Sequence, residues 1–279
     1  MTQPDKPTGR HQQLTPPAIK TESLAAGIPV FQPEKIGDIA EELAAMQPEV
    51  LVVMAYGQIL RKNILDLASQ AIINLHASLL PRYRGAACIQ AAIDAGDSET
   101  GITAMHVIRE LDAGDMILLK SIPVHGDETG GRLHDRLAEL APSVLAEALE
   151  KLEAGTAERI PQNDAESSYV SKLERDDGRL DWSQSAVSVE RRIRAYDPWP
   201  GTFTLATEEG RVKRLKIFPP TVVVDLPLSV GEVSVLNGQL VVGCGEGSLR
   251  LELVQPEGGK KMSIADYLRG HKPTSFALK

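Results

Sequence analysis

Two short apolar runs, VLVVMAYG at 50–57 and AIINLHA at 71–77, constrain the fold of this chain more than any other feature. The first is β-branched and lacks polar alternation, the pattern of a parallel strand covered on both faces. The second reads as another short strand, and a helical stretch near 62–69 separates the two. Ahead of them, Ile36, Ile39, Leu43 and Met46 fall at helical spacing over 34–46. Behind them come a Pro- and Arg-rich loop, a predicted helix over 86–95, strands at 102–108 and 116–124, and a helix over 130–153. Leu133, Leu137, Leu140, Leu145 and Leu149 supply most of that last helix's apolar face. Strands alternating with helices predict an α/β layer, whose ligands gather beyond the carboxyl ends of its parallel strands.

Near residue 155 the texture changes. TAERIPQNDAESSYVSKLERDDG is polar and aperiodic, as expected of a linker, placed at 156–172. A helix over 185–196 follows, with Val189, Ile193 and Tyr196 facing inward. Short strands are predicted at 202–207, 211–217, 231–235, 239–243 and 249–254, and a small helix near 263–269. Glycines and prolines punctuate them, so residues 173–279 read as a compact β-barrel module beside an α/β domain at 1–155.

The 42% hydrophobic and 24% charged composition belongs to a globular protein. No run approaches the ~18 consecutive apolar residues of a membrane span, and the start lacks a secretory apolar segment. Cys88 and Cys244 form neither a zinc pattern nor a disulfide framework, which favours a reducing, cytoplasmic setting. The net charge of −8 argues against a general nucleic-acid coat, yet it is unevenly spread. Residues 1–170 hold 14 Lys and Arg against 24 Asp and Glu, whereas residues 171–279 hold 16 against 14. The second part is less repelled by a polyanion and so compatible with RNA contact.

The chemistry concentrates in INLHASLLPRYRGAACIQ at 73–90. In a strand, Asn74 and His76 point to the same face, because side chains repeat every two residues. Asp112 and Asp115 lie further along, in the loop RELDAGD at 109–115, which adjacent strand ends can bring close to His76. Singly, each residue is ambiguous. A histidine at a strand end can be structural, Asn74 can satisfy loop backbone groups, and the aspartates suit a turn. Other chemistries find no footing: Ser78 is not in G-x-S-x-G, and H-E-x-x-H, G-x-G-x-x-G and a phosphate-loop lysine are all missing. GCGEG at 243–247 lies between short strands, where turns explain it.

Taken together, Asn74, His76 and Asp112, set in NLHASLLPRYRG and LDAGD, resemble the folate-dependent formyltransferase family. The similarity runs from residue 2 to about 270 and includes VVMAYGQIL, GDSETGITAM, IRAYDPWPGTF and GEGSLRLELVQPEGGKKM, which look like the family's methionyl-tRNA branch. The resemblance implies a Rossmann-like catalytic layer followed by a small OB-like barrel. It implies 10-formyltetrahydrofolate as co-substrate, methionyl initiator tRNA as partner, no metal, and a monomer. It places the folate against Tyr56, Gly57, Ser78, Leu79, Leu80, Pro81 and Asp115. It places the tRNA against Arg10 and Lys20 in the N-terminal loop, Arg82 and Arg84 beside the catalytic strand, and Lys213, Arg214, Lys260 and Lys261 in the second domain. The triad suits the reaction. A neutral amine attacks the formyl carbon, and the oxygen that becomes negative needs donors already aimed at it. Asn74 offers an amide N–H and protonated His76 a charged donor, while Asp112 orients the imidazole and helps relay the amine's proton.

Three departures stand out. Cys88 and Arg61 replace prolines common in the family. Relatives also open with a strand, a G-T-P-x-F loop and a helix before the segment matching TQPD, about thirty residues in all. Without that interior strand, backbone groups and a void would be exposed, so the expectation is that this sequence is a shortened version of a longer protein. Two alternative readings go with this: a catalytically impaired tRNA- or partner-binding homologue, and a formyltransferase acting on a small-molecule amine.

Overall fold

The structure, a computed structural model, describes residues 1–8 and 12–277. Its backbone forms two compact units, each assembled from separate stretches of chain. One comprises 1–76, 103–118 and 148–162; the other comprises 77–102, 119–147 and 163–279. Compactness thus groups 77–102 and 119–147 with the C-terminal residues instead of following sequence order.

A four-stranded sheet runs in the order Val50–Val53, Ala71–His76, Glu99–His106, Met116–Pro123. Its first two strands are parallel, with Val53 opposite Asn74, and the third runs antiparallel to the second. Along Ala71–His76 every residue except Asn74 is buried. The strand Val50–Val53 corrects the expectation of cover on both faces: none of its residues is buried, and Val52 is 44% exposed. It lies at one end of the sheet order, with no neighbouring strand on one edge among the described residues. The helical pattern at 34–46 yields a 3-10 turn, Ile36–Ile39, and a helix, Ala40–Ala45, with Leu43 alone buried. An antiparallel pair of Lys6–Thr8 and Gln13–Thr15 and a helix at Ala18–Ala25 are beyond what patterning predicts, and none of their residues is buried.

The helix Gly130–Glu153 forms where the leucine spacing predicts it. Its buried stripe is Leu133, Leu137, Ala141, Val144, Ala148 and Leu152, a run of three- and four-residue steps. Leu140, Leu145 and Leu149 flank that stripe and are half-buried, because small residues occupy the closest-packed line.

In the second unit a seven-stranded antiparallel sheet takes the order Val233–Leu236, Gln239–Gly243, Ser248–Pro256, Arg211–Val224, Thr202–Glu208, Pro273–Phe276, with Met262–Ser263 pairing Ser248–Pro256. A bridge between Glu232 and Ser275 ties its two ends together, which nearly closes the barrel. The final strand escaped sequence patterning because it is short and starts on a proline. Leu215, Ile217, Leu240, Val242, Leu249, Leu251 and Val254 fill the barrel core with Trp182, whose Nε1 donates to Thr204 Oγ1 at 2.9 Å. Each fully buried side chain of this kind contributes roughly 1.5–3 kcal/mol. The helix Ala186–Ala195 seals the barrel with Val189 and Ile193. It starts at Ser185, whose hydroxyl accepts from the Ser188 amide at 3.2 Å.

Candidate active site

The strand Ala71–His76 places Asn74 opposite Met105 and His76 opposite Thr103, so both expected side chains share one sheet face. His76 is 6% exposed. Its Nδ1 lies 3.7 Å from Asp112 Oδ2, an ion-pair separation longer than a hydrogen bond. The structure therefore joins His76 and Asp112, and the two strands that carry them toward each other are adjacent and antiparallel. Glu99–His106 runs antiparallel and leads away from His76, the Val107 amide extending the ladder to the Ile72 carbonyl at 2.8 Å; the loop that follows returns to the strand end, where the His106 amide donates to the Asp115 carbonyl. Asp112 adopts φ +51°, a left-handed conformation uncommon outside glycine. Gly114 is required by contact: a Cβ there would collide with the His106 carbonyl. The glycine and aspartates of LDAGD are thus parts of one tight turn.

Asp115 pairs with Arg159 at 3.4 Å, and its carbonyl accepts from the His106 amide at 2.9 Å. Burial, helped by Arg159, pushes the His106 imidazole below its ordinary value of 6.5, with Asp115 opposing. Tyr56 carries a buried hydroxyl with no hydrogen-bond partner among the described residues, and burial raises its pKa. The Tyr56 carbonyl accepts from Gln3 Nε2 at 2.8 Å, while Gly57 turns the chain at φ +77°. In the other unit, Ser78 is fully buried and donates to the Arg82 carbonyl at 2.7 Å, which shapes the loop through Leu79, Leu80 and Pro81. Gly85, at φ +102°, lies where a Cβ would strike the Val170 carbonyl.

Among the described residues, no three His, Cys, Asp or Glu side chains group as a metal site. Patterning gave no sign of Gln162, which donates from Nε2 to the carbonyls of Asp112 at 2.9 Å and Gly114 at 2.8 Å. It sits in the polar, aperiodic stretch that reads as linker.

Residues 1–149 match the family model described as formyl transferase, and residues 172–272 match the model of its C-terminal domain. The methionyl-tRNA formyltransferase of Akkermansia muciniphila is 49% identical over 276 residues, covering 97% of this chain and 88% of that one. Its counterpart in Marinobacter nauticus is 44% identical over 276 residues, covering 97% and 87%. The chain belongs to the methionyl-tRNA formyltransferase family. Solved structures share the fold at lower identity. The N-formyltransferase of Helicobacter canadensis, in complex with folinic acid and dTDP-3-aminofucose, superposes with a TM-score of 0.66 at 14% identity, covering 94% of this chain and 87% of that one. HypX of Aquifex aeolicus, in complex with tetrahydrofolic acid, gives 0.60 at 22% identity, covering 84% and 41%.

The cations that family resemblance assigns to tRNA fare unequally. Arg10 lies outside the described residues. Lys20 is bound to Asp5 at 2.9 Å, and Gln32 donates to the same carboxylate at 2.8 Å. Lys20 and then Gln32 hold the Asp5 carboxyl below its ordinary range against a small opposing effect of burial. Arg82 is exposed and meets Asp97 at 2.9 Å, whereas Arg84 is 2% exposed, with Asp164 at 2.8 Å and the Tyr169 hydroxyl at 3.2 Å. In the barrel, Lys213 reaches Glu208 at 3.2 Å and Arg214 stacks 3.4 Å over the Phe203 ring. Lys261 rests 4.3 Å over Phe218, and Lys260 is exposed beside it.

Proposed function

We propose that the chain transfers the formyl group of 10-formyltetrahydrofolate to the amino group of methionyl initiator tRNA. One observation carries the reading: a buried imidazole, on a strand face shared with Asn74, has a carboxylate 3.7 Å away, in a chain 49% identical to a methionyl-tRNA formyltransferase. The tRNA amine attacks the formyl carbon and gives up a proton, and the bond from that carbon to the folate nitrogen breaks as that nitrogen takes up a proton, leaving tetrahydrofolate. Asn74 and His76 donate to the carbonyl oxygen as it becomes negative. Asp112 steadies the charged imidazole and receives the amine's proton through water. No covalent intermediate on the protein is needed, so His76 is not a nucleophile.

Tyr56, Gly57, Asp115 and residues 78–81 are assigned to the folate. Among them, the unpartnered Tyr56 hydroxyl is a donor that a pterin or its tail can use. For tRNA, Lys260 and Lys261 are the favoured phosphate contacts because they are exposed, with Arg82 and Lys213 after them. Arg84 would have to leave Asp164 and Tyr169 to reach a phosphate, so its role in this reading is to hold its loop. Each phosphate contact removed by Lys260→Ala or Lys261→Ala should reduce the salt slope of tRNA binding by about 1.

The decisive assay offers the purified chain 10-formyltetrahydrofolate with methionyl-tRNA, a purine-precursor amine and an amino-sugar nucleotide. Formyl transfer to methionyl-tRNA alone is expected. Transfer to a small amine, with methionyl-tRNA untouched, would overturn the assignment.

A further inference from the structure

The stretch 159–162 is bound at three successive points to the loop that carries Asp112, all within one compact unit. Arg159 pairs with Asp115 at 3.4 Å. Ile160 and Met116 exchange backbone hydrogen bonds of 2.8 and 3.0 Å, adding an antiparallel bridge to the end of a sheet strand. Gln162 then directs its side-chain amide at the carbonyls of Asp112 and Gly114, at 2.9 and 2.8 Å. An amide nitrogen has two N–H donors, and these two carbonyls account for both. The same nitrogen lies 3.9 Å from Met105 Sδ, and Met105 is the cross-strand neighbour of Asn74.

We infer that Gln162 is a positioning residue for the reaction, holding the backbone of Asp112 so that its carboxylate stays within reach of His76. The inference rests on the role proposed for Asp112. Its physical basis is the conformation of that residue. At φ +51°, Asp112 occupies a region that a non-glycine residue keeps only when its surroundings hold it there. The Asp112 and Gly114 carbonyls bracket the turn, so a donor fixed to both sets the turn's shape from outside. His76 and Asp112 are already 3.7 Å apart, and a relaxing turn would carry the carboxylate beyond useful distance. Displacements of about 1 Å in catalytic groups cost up to a hundredfold in rate. The rest of the stretch serves Gln162: the Ile160 bridge fixes the backbone two residues before it, and so fixes the point from which its side chain reaches out.

Gln162→Glu keeps the length and branching of the side chain and removes both N–H donors; Gln162→Met removes them without adding charge. Each is compared with Asp112→Asn, and Gln162→Met is also combined with it, in the full chain. The readouts are kcat, KM for 10-formyltetrahydrofolate and methionyl-tRNA, thermal midpoint, and hydrogen exchange of the loop amides. Both Gln162 variants should lose kcat by roughly ten- to a hundredfold with KM for either substrate little changed. Exchange should rise at 112–115 and not along Ala71–His76. In the Asp112→Asn background, Gln162→Met should cost nothing further, because the group it positions is gone. Unchanged kcat in a folded Gln162→Met chain would overturn the inference, as would an equal loss in both backgrounds. If Gln162→Met does not fold, the outcome with Gln162→Glu decides by the same criteria. If both fail to fold, Gln162 is a stability residue and the inference falls. Wild-type turnover in Asp112→Asn would instead remove the role proposed for Asp112 itself.

Discussion

Two short runs rich in aliphatic residues, Val50–Val53 and Ala71–His76, become neighbouring strands with opposite fates. Ile73 has no exposed surface, and all but Asn74 of its strand is buried; on its partner, Val52 is 44% exposed and no residue is buried. The difference accompanies sheet order, since Ala71–His76 has a strand on each side and Val50–Val53 on one only among the described residues, yet the other end strand still buries Met116, Ile117 and Leu118. A run of β-branched residues reports that a strand will form. It does not report how well the strand will be covered. The residues proposed for the chemistry, Asn74 and His76, sit on the covered strand, which has a neighbour on both sides.

Truncating each strand should break this comparison or confirm it. Ile73→Ala leaves a cavity in a closed interior and should cost about 2–5 kcal/mol in urea unfolding. An effect below about 1 kcal/mol would mean the central strand is no better packed than its neighbour. The rule extends to charge in the barrel. Burial alone would raise the Glu208 carboxyl, but His271, the Lys272 amide and Lys213 outweigh it and hold it below 4.5. Its stabilisation is complete above pH 4.5 and fades as pH falls through the lower folded value. Glu208→Gln should therefore lose about 1–3 kcal/mol at pH 7, with the gap to wild type closing as pH falls through the lowered folded value. A gap that persists there would show that packing, not charge, is what Glu208 contributes. Asp66→Asn removes the exposed partner of Lys62 and should change stability by no more than about 0.5 kcal/mol at any pH. Val52→Ala should also stay within about 0.5 kcal/mol, and a larger loss would show that this edge is covered in solution.

Much of the site was legible because its residues obey local rules. The two-residue strand period puts Asn74 and His76 on one face, and the turn glycine of LDAGD marks a backbone contact that only glycine permits. Arg82 and Arg84 show where legibility stops. They read alike as loop arginines, yet one is exposed and the other is buried against Asp164 and Tyr169, partners eighty or more positions away. Gln162 was illegible for the same reason: its two carbonyl partners lie about fifty positions earlier, and no period connects them. The antiparallel sense of Glu99–His106 was hidden too, since an apolar strand reads the same in either direction. The long helix was legible in extent and less so in detail, because alanines and a valine, rather than the more conspicuous leucines, take the tightest contacts.

The most direct test replaces His76 and follows formyl transfer from 10-formyltetrahydrofolate to methionyl-tRNA. His76→Asn keeps a polar group on the strand but cannot become the charged donor proposed for the reaction. We expect kcat to fall by about a hundred- to a thousandfold in a chain that still unfolds cooperatively near the wild-type midpoint. A folded His76→Asn chain with wild-type turnover would contradict the proposal that this imidazole supports the transferring carbon's oxygen.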